Sequence, residues 1–127
     1  MSESDNEVLV EVFHNVTTDE RGRHVGWYDG YEPGHQIVKV FEFVTKRWND
    51  PRATAEAAWL AGNTPWHEHS MAYRKRGLRD LMKGDVARIE NTWLACATVG
   101  WQIIESEPDD ITDTFTDQID TKKWEVS

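Results

Sequence analysis

The sequence predicts an α+β fold, in which an antiparallel sheet of four to five strands carries two short helices packed on it. Three features indicate this fold: alternating apolar segments near the N-terminus, two adjacent helix-start signals in the middle, and a tryptophan-rich hairpin over residues 85–105. Strands outnumber helices and the helices are neighbours in sequence, which is typical of the α+β class. A sheet curled into a small barrel is an alternative that the same pattern allows.

Two early segments alternate between faces as strands do. Residues 8–16 place Val8, Val10 and Val12 on one face, and residues 36–44 predict a second strand. In the second strand one face should carry Ile37, Lys39, Phe41 and Phe43. The polar stretch between these segments, rich in Gly and Pro, is predicted to be loop and turn.

Two helices are predicted between residues 50 and 77. Asp50-Pro51 has the residues of an N-cap followed by the first helical position, and Gly62 is placed to end that helix. Thr64-Pro65 repeats the start signal, so a second helix is expected from Pro65 to about Lys75.

The hairpin is the best-defined element. Gly84-Asp85 is turn chemistry, a strand follows to Ile89, and Glu90-Asn91 should reverse the chain into an apolar strand from Thr92 to Val99. Gly100 then predicts a bulge or sharp bend before residues 101–104. Since neither face of the second strand is strongly polar, both should be covered, with Trp93 and Trp101 buried.

Composition divides the chain into a frayed N-terminus at 1–7, a single domain at 8–105 and an acidic tail at 106–127. The net charge is −9, and the tail holds 7 acidic and 2 basic residues against 5 acidic and 6 basic in residues 64–105. The low hydrophobicity of the tail favours disorder, with ordering on a partner as the alternative. An anionic surface argues against non-specific binding to phosphate backbones.

The chain has no run of apolar residues long enough for a membrane span and no leader-like N-terminus, so we expect a cytoplasmic protein without a membrane partner. Its single cysteine, Cys96, fits a reducing compartment and an inert buried position.

His67 and His69 are the candidate metal ligands. On a strand they would share a face, whereas on the predicted helix they would point apart, which favours two partly exposed side chains without a metal. His14, His24 and His35 could approach only in space. No cofactor is expected.

Arg74, Lys75, Arg76 and Arg79 form the only dense basic cluster and are the candidate nucleic-acid-binding residues. The alternative is that these cations complement the C-terminus of a helix and project into solvent. Catalytic residues are not indicated, because no nucleophile, phosphate-loop or dinucleotide motif occurs. Carboxylates such as Glu11, Asp29 and Glu42 could pair only through the fold.

The chain contains six short motifs: Val12-Phe13-His14-Asn15-Val16, Tyr73-Arg74, Leu78-Arg79-Asp80-Leu81, Gly84-Asp85-Val86, Ala95-Cys96-Ala97 and Gly100-Trp101. Together they resemble small uncharacterised actinobacterial proteins encoded by phages or mobile elements. The pattern Leu81-x-x-Gly84-Asp85-Val86 also resembles a strand start in nucleic-acid-binding barrels of the PUA and ASCH type. The first resemblance implies a genetic setting, namely a phage or mobile element, but it does not indicate an activity.

The sequence therefore predicts a non-catalytic accessory protein of a mobile element that binds another macromolecule, in the first place a protein. A small nucleic-acid-binding domain using the basic cluster is the alternative, and an enzyme using His67, Glu68 or His69 ranks third. The partner-binding residues and the oligomeric state are not predicted.

Overall fold

A computed structural model, which describes residues 6–115, contains one mixed sheet of six strands and three short helices. The strands are β1 (Glu7–Asn15), β2 (Gln36–Lys46), β3 (Val86–Ile89), β4 (Thr92–Cys96), β5 (Trp101–Ile104) and β6 (Asp110–Asp113). The helices are α1 (Val25–Asp29), α2 (Pro51–Asn63) and α3 (Ser70–Lys75). The strand order is β5-β4-β3-β1-β2-β6, and the sheet is open. The predicted α+β class is confirmed, whereas the barrel and the count of four to five strands were wrong.

A β-bulge in β2 changes which of its residues face the helices. The register with β1 pairs Val12 with Phe41 but Phe13 with Lys39, so Val40 is the extra residue. Phe41 therefore does not share a face with Lys39, as the predicted alternation required. Lys39 lies on the opposite face, where it bonds Glu11 and Glu42.

Both faces of β4 are buried, as the apolar pattern of the hairpin predicts. One face packs under α2 in a large cluster that includes Val10, Leu94 and Trp101. Trp93 belongs to a smaller cluster with Phe13, and alternation along β4 places this cluster on the other face. Trp93 and Trp101 are only 6% and 5% exposed, so both serve as core residues.

Of the two predicted helix starts, the one at Asp50-Pro51 is confirmed and the one at Pro65 was wrong. Asp50 caps α2 by accepting the Arg52 amide at 2.9 Å, with Pro51 at the first position. Gly62 does not end this helix but lies inside it, where a Cβ would approach Leu81 at 2.9 Å. The second helix begins at Ser70 and not at Pro65.

The hairpin is confirmed as β3 and β4, although β4 ends at Cys96 and not at Val99, and two corrections apply to its turns. Glu90, and not Asn91, adopts the positive φ of 56°. Gly100, with φ 72°, belongs to a reversal that pairs β5 antiparallel to β4, so the chain forms a second hairpin where a bulge or bend was predicted.

Part of the predicted tail is folded. β6 runs parallel to β2 along Gln36–Lys39, and Phe115 packs edge-on against Phe41. The short helix α1 likewise occupies a stretch predicted to be loop. The rest of the tail, residues 116–127, and residues 1–5 of the predicted N-terminus lie outside the described residues.

Gly84 is the position where backbone packing tolerates no side chain. Its φ is 96°, and a Cβ would lie 2.6 Å from the Gly26 carbonyl oxygen. We expect Gly84→Ala to destabilise the fold by about 3 kcal/mol, since conformational strain and a backbone clash add. Gly100→Ala is the matched control, because its φ is also positive but open space surrounds it. Urea unfolding compares the two, and equal losses would contradict the packing argument.

Candidate functional site

An open groove of about 510 Å³ lies between the end of β2 and α2. Its apolar wall consists of Ala53, Ala57 and Leu60 on α2 and the indole of Trp48. The remaining lining residues are Thr45, Lys46, Glu56 and His67. Because concave apolar surfaces with a few polar groups are the usual form of binding sites, this groove is the candidate functional site.

The loop between β2 and α2 holds the Trp48 backbone while leaving its ring accessible. The Trp48 amide donates to the Thr54 hydroxyl at 3.0 Å, and Thr54 is buried in the first turns of α2. The Arg47 amide donates to the Asn6 carbonyl at 2.8 Å, which ties the same loop to the start of β1. The side chain of Trp48 nevertheless remains 51% exposed. A rigid backbone carrying an exposed indole is typical of a preorganised contact residue.

Two charged side chains accompany this indole. The Lys46 ammonium lies over the Trp48 ring, with Nζ 4.5 Å from a ring centroid. Glu56, on the exposed side of α2, lines the same groove. The groove thus combines an aromatic face, an aliphatic wall and one charge of each sign.

Further large apolar side chains are exposed near the groove in sequence. Trp66 and Met71 are 70% and 68% exposed and flank the groove residue His67 and the histidine at 69. Val44, two residues before Lys46, is also exposed. These exposed apolar side chains are thus sequence neighbours of the groove residues Lys46 and His67.

The two candidate metal ligands are adjacent, but both are engaged. His67 and His69 lie in the turn before α3, with ring centroids 5.6 Å apart. His67 Nδ1 accepts the His69 amide at 3.2 Å, and His69 Nε2 lies 3.1 Å from the Val44 carbonyl oxygen. Burial is the main cause that lowers the pKa of His67, with the neighbouring His69 adding to it. Within residues 6–115 no group of three or more potential ligands occurs, so the metal site stays a prediction.

The basic cluster is divided between structural and exposed cations. Arg76 Nε donates to the Val40 carbonyl at 2.8 Å, and its guanidinium stacks on Phe115. Arg79 is held by a buried carboxylate. Arg74 and Lys75 are exposed at the end of α3. Of the four candidate nucleic-acid-binding residues, these two are therefore the ones that project into solvent.

The carboxylate that holds Arg79 belongs to Asp85, which is fully buried. Arg79 donates to both Asp85 oxygens, at 2.7 and 2.8 Å. The amides of Asn15 and Met82 donate to the same carboxylate at 2.9 and 2.8 Å. The Asp85 carboxylate thus accepts four hydrogen bonds and connects β1, the turn before β3 and the segment after α3. Its role is structural.

A buried histidine and tyrosine extend this network. The Tyr73 hydroxyl donates to the Arg79 carbonyl at 2.5 Å and lies 2.7 Å from His14 Nε2. Since the hydroxyl has one proton and donates it to the Arg79 carbonyl, His14 donates from Nε2 to the hydroxyl oxygen. Burial raises the pKa of Tyr73 and lowers that of His14 to about 4. These residues thus form an internal hydrogen-bonded network rather than an exposed acid–base pair.

The other reactive side chains also have structural surroundings. Burial, with the charges of Asp85 and Glu56, raises the pKa of Cys96 to about 12, so its thiol stays protonated. Burial opposes the charge of Lys39, but its hydrogen bonds to Glu42 and Glu11 raise its pKa overall. Glu11 and Glu42 therefore share a cation and do not form a carboxyl pair for acid–base chemistry.

The sequence interpretation missed Trp48 as a candidate site residue. The signal was a tryptophan among charged and polar residues in Lys46-Arg47-Trp48-Asn49-Asp50, directly before a helix cap. A large apolar residue in such a polar connection is not needed by the strand or by the helix. Its exposure depends on how α2 crosses the sheet, which local patterns do not predict.

Comparisons with protein-family models, with curated proteins and with solved structures give no match to this chain. Among the helices of residues 6–115, none has both the length and the apolar character that crossing a bilayer requires.

The Asp85–Arg79 pair should show strong coupling. We expect Asp85→Ala to destabilise the protein by about 3–5 kcal/mol, because it leaves a partly buried guanidinium unpaired. The double variant Asp85→Ala with Arg79→Ala should lose less than the sum of the two single variants. Urea unfolding of the four proteins measures the coupling, and additive losses would contradict it.

Stability should depend on pH through His14. The folded pKa of about 4 lies below the ordinary 6.5, so below pH 6.5 the unfolded chain binds a proton that the folded chain excludes. We expect this group to contribute a loss of about 2 kcal/mol between about pH 7.5 and pH 5. His14→Gln should show a smaller loss over the same interval in urea unfolding. The control His67→Gln should retain most of the dependence, and an unchanged profile in His14→Gln would refute the assignment.

Proposed function

We propose that this chain is a protein-binding module that holds a segment of a partner protein in the groove between β2 and α2. The observation that carries the proposal is the Trp48 indole, exposed on a backbone that Thr54 and Asn6 fix. Tryptophans that need no ordering before contact contribute strongly to protein interfaces. The apolar wall on α2 supports the proposal, because it offers a place for a bulky partner side chain.

The distribution of cations favours a protein partner over a nucleic acid. Arg79 is committed to Asp85 and Arg76 to the edge of β2, which leaves Arg74 and Lys75 as the exposed pair of the cluster. Affinity for a phosphate backbone grows with the number of such cations. A chain of net charge −9 instead attracts a positively charged partner from a distance.

The biological setting that we propose is an accessory role in a phage or mobile element, carried out in the cytoplasm. The resemblance of the short motifs supports this setting. In that setting the module would act by occupying or recruiting a partner protein rather than by chemistry of its own. The engaged states of His14, Cys96 and the Glu11–Lys39–Glu42 group are consistent with that role.

Selection from a random displayed peptide library tests the proposed site. We expect enriched peptides whose affinity falls by about tenfold or more on Trp48→Ala, because the indole supplies the central contact. Tyr28→Ala is the matched control, since Tyr28 is an exposed aromatic residue (67%) outside the groove lining. Affinities are measured by fluorescence anisotropy of labelled synthetic copies.

Two outcomes would contradict the proposal. One is that no peptide is enriched, or that Trp48→Ala and Tyr28→Ala affect binding equally. The other is that a labelled single-stranded oligonucleotide binds in a salt-dependent manner and that Arg74→Ala with Lys75→Ala abolishes its binding. The second outcome would establish the nucleic-acid-binding alternative in its place.

A further inference from the structure

We infer that the anchor of the partner segment is a cationic side chain, Arg or Lys, which stacks on Trp48 and places its charge at Glu56. The inference rests on the proposed function and specifies the chemistry of its ligand. It is drawn from three features of the groove: the present contact on the indole, the lack of an ion pair at that contact, and the position of an available carboxylate.

The first feature is that the indole face already holds a cation. Lys46 Nζ lies 4.5 Å from a ring centroid of Trp48, within the range of a cation–π contact. The space over this ring therefore accommodates an ammonium group, and it can accept the cationic group of a ligand once Lys46 moves away. Tryptophan is the most favourable of the aromatic side chains for this interaction.

The second feature is that Lys46 is held weakly. Within residues 6–115 no carboxylate lies within ion-pair distance of its ammonium, and the side chain is exposed at the end of β2. An exposed cation–π contact shifts the equilibrium between the ring-bound and the solvated side chain by only about two- to fivefold. A ligand that makes this contact and one more can therefore displace Lys46 from the ring.

The third feature supplies that additional contact. Glu56 lines the groove from α2, together with the apolar side chains of Ala53, Ala57 and Leu60. No described cation lies within ion-pair distance of the Glu56 carboxylate. An incoming Arg or Lys can lay its aliphatic stem along the apolar wall while its charge meets Glu56. Arg is expected to bind better than Lys, because its planar guanidinium both stacks on a ring and bonds a carboxylate through two donors.

The matching probe is N-acetyl-arginine methylamide, added to the ¹⁵N-labelled protein and followed by NMR. The readout is the indole N–H resonance of Trp48, assigned by its disappearance in Trp48→Phe. We expect saturable shifts with the arginine probe, and smaller shifts with N-acetyl-leucine methylamide or N-acetyl-glutamate methylamide at the same concentration. The two comparison probes separate cation recognition from apolar burial and from a general effect of added solute.

Two substitutions test the roles of the charges. Lys46→Met vacates the ring face and should strengthen binding of the arginine probe by about threefold, since one competing cation–π contact is removed. Glu56→Gln should weaken it by a similar factor, because the carboxylate becomes a neutral amide. Glu68→Gln is the matched control, as Glu68 is an exposed carboxylate outside the groove lining and should leave binding unchanged.

The inference is overturned if the leucine probe shifts the Trp48 resonance as much as the arginine probe does. It is also overturned if Lys46→Met and Glu56→Gln leave the arginine titration unchanged. These results are distinguishable from failure of the proposed function. Selected peptides that require Trp48 but lack Arg and Lys would support the groove and reject the cationic anchor. A failed library selection would reject the groove as a peptide site independently of the NMR titration.

Discussion

The buried ion pair between Asp85 and Arg79 is the interaction on which the rest of the arrangement depends. The Asp85 carboxylate accepts a hydrogen bond from the Asn15 amide at the end of β1. The Asp85 carbonyl accepts a second one, 2.8 Å long, from the amide of Cys96, the last residue of β4. Because Arg79 follows α3 closely in sequence, its capture also fixes that helix against the sheet. Asp85 thereby joins three separated segments through its side chain and its carbonyl, and burial of its carboxylate is tolerable only because four donors surround it.

The position of α3 has a consequence for the edge of the sheet. β6 pairs with β2 only as far as Lys39, and no described strand continues along the edge from Val40 to Lys46. Arg76 and His69, at the two ends of α3, instead reach the carbonyls of Val40 and Val44. Proteins commonly protect an exposed edge in this way against pairing with another strand. A partner is therefore expected to enter the groove beside β2 through side-chain contacts and not to add a strand to the sheet.

Local patterns predicted the elements of this fold better than their relations. The hairpin, the cap at Asp50 and the burial of Trp93 and Trp101 follow from turn chemistry, capping and alternation, which act over a few residues. The bulge at Val40, the pairing of Asp85 with Arg79 and the addition of β6 depend on contacts between distant segments. In β6, the Thr112 and Asp113 positions are too polar to indicate a strand, and pairing with β2 overrides that composition. The sequence identified the histidines and basic residues as candidates, but it did not predict which of them the fold would engage in structural contacts and which it would leave exposed.

The tryptophans illustrate why the site could not be predicted from composition. Seven tryptophans in 127 residues indicate an aromatic core, and Trp93 and Trp101 fulfil that expectation. Trp48 and Trp66, however, are more than half exposed, although they are chemically identical to the buried ones. Both exposed tryptophans lie in connections at the ends of α2, whereas the sheet beneath this helix is covered by small alanines. Ala55, Ala58 and Ala61 bring α2 close to the sheet, and Trp101 packs into the same cluster from β5. Trp48 and Trp66 lie beyond the two ends of this close contact, and their exposed indoles are therefore available to a partner.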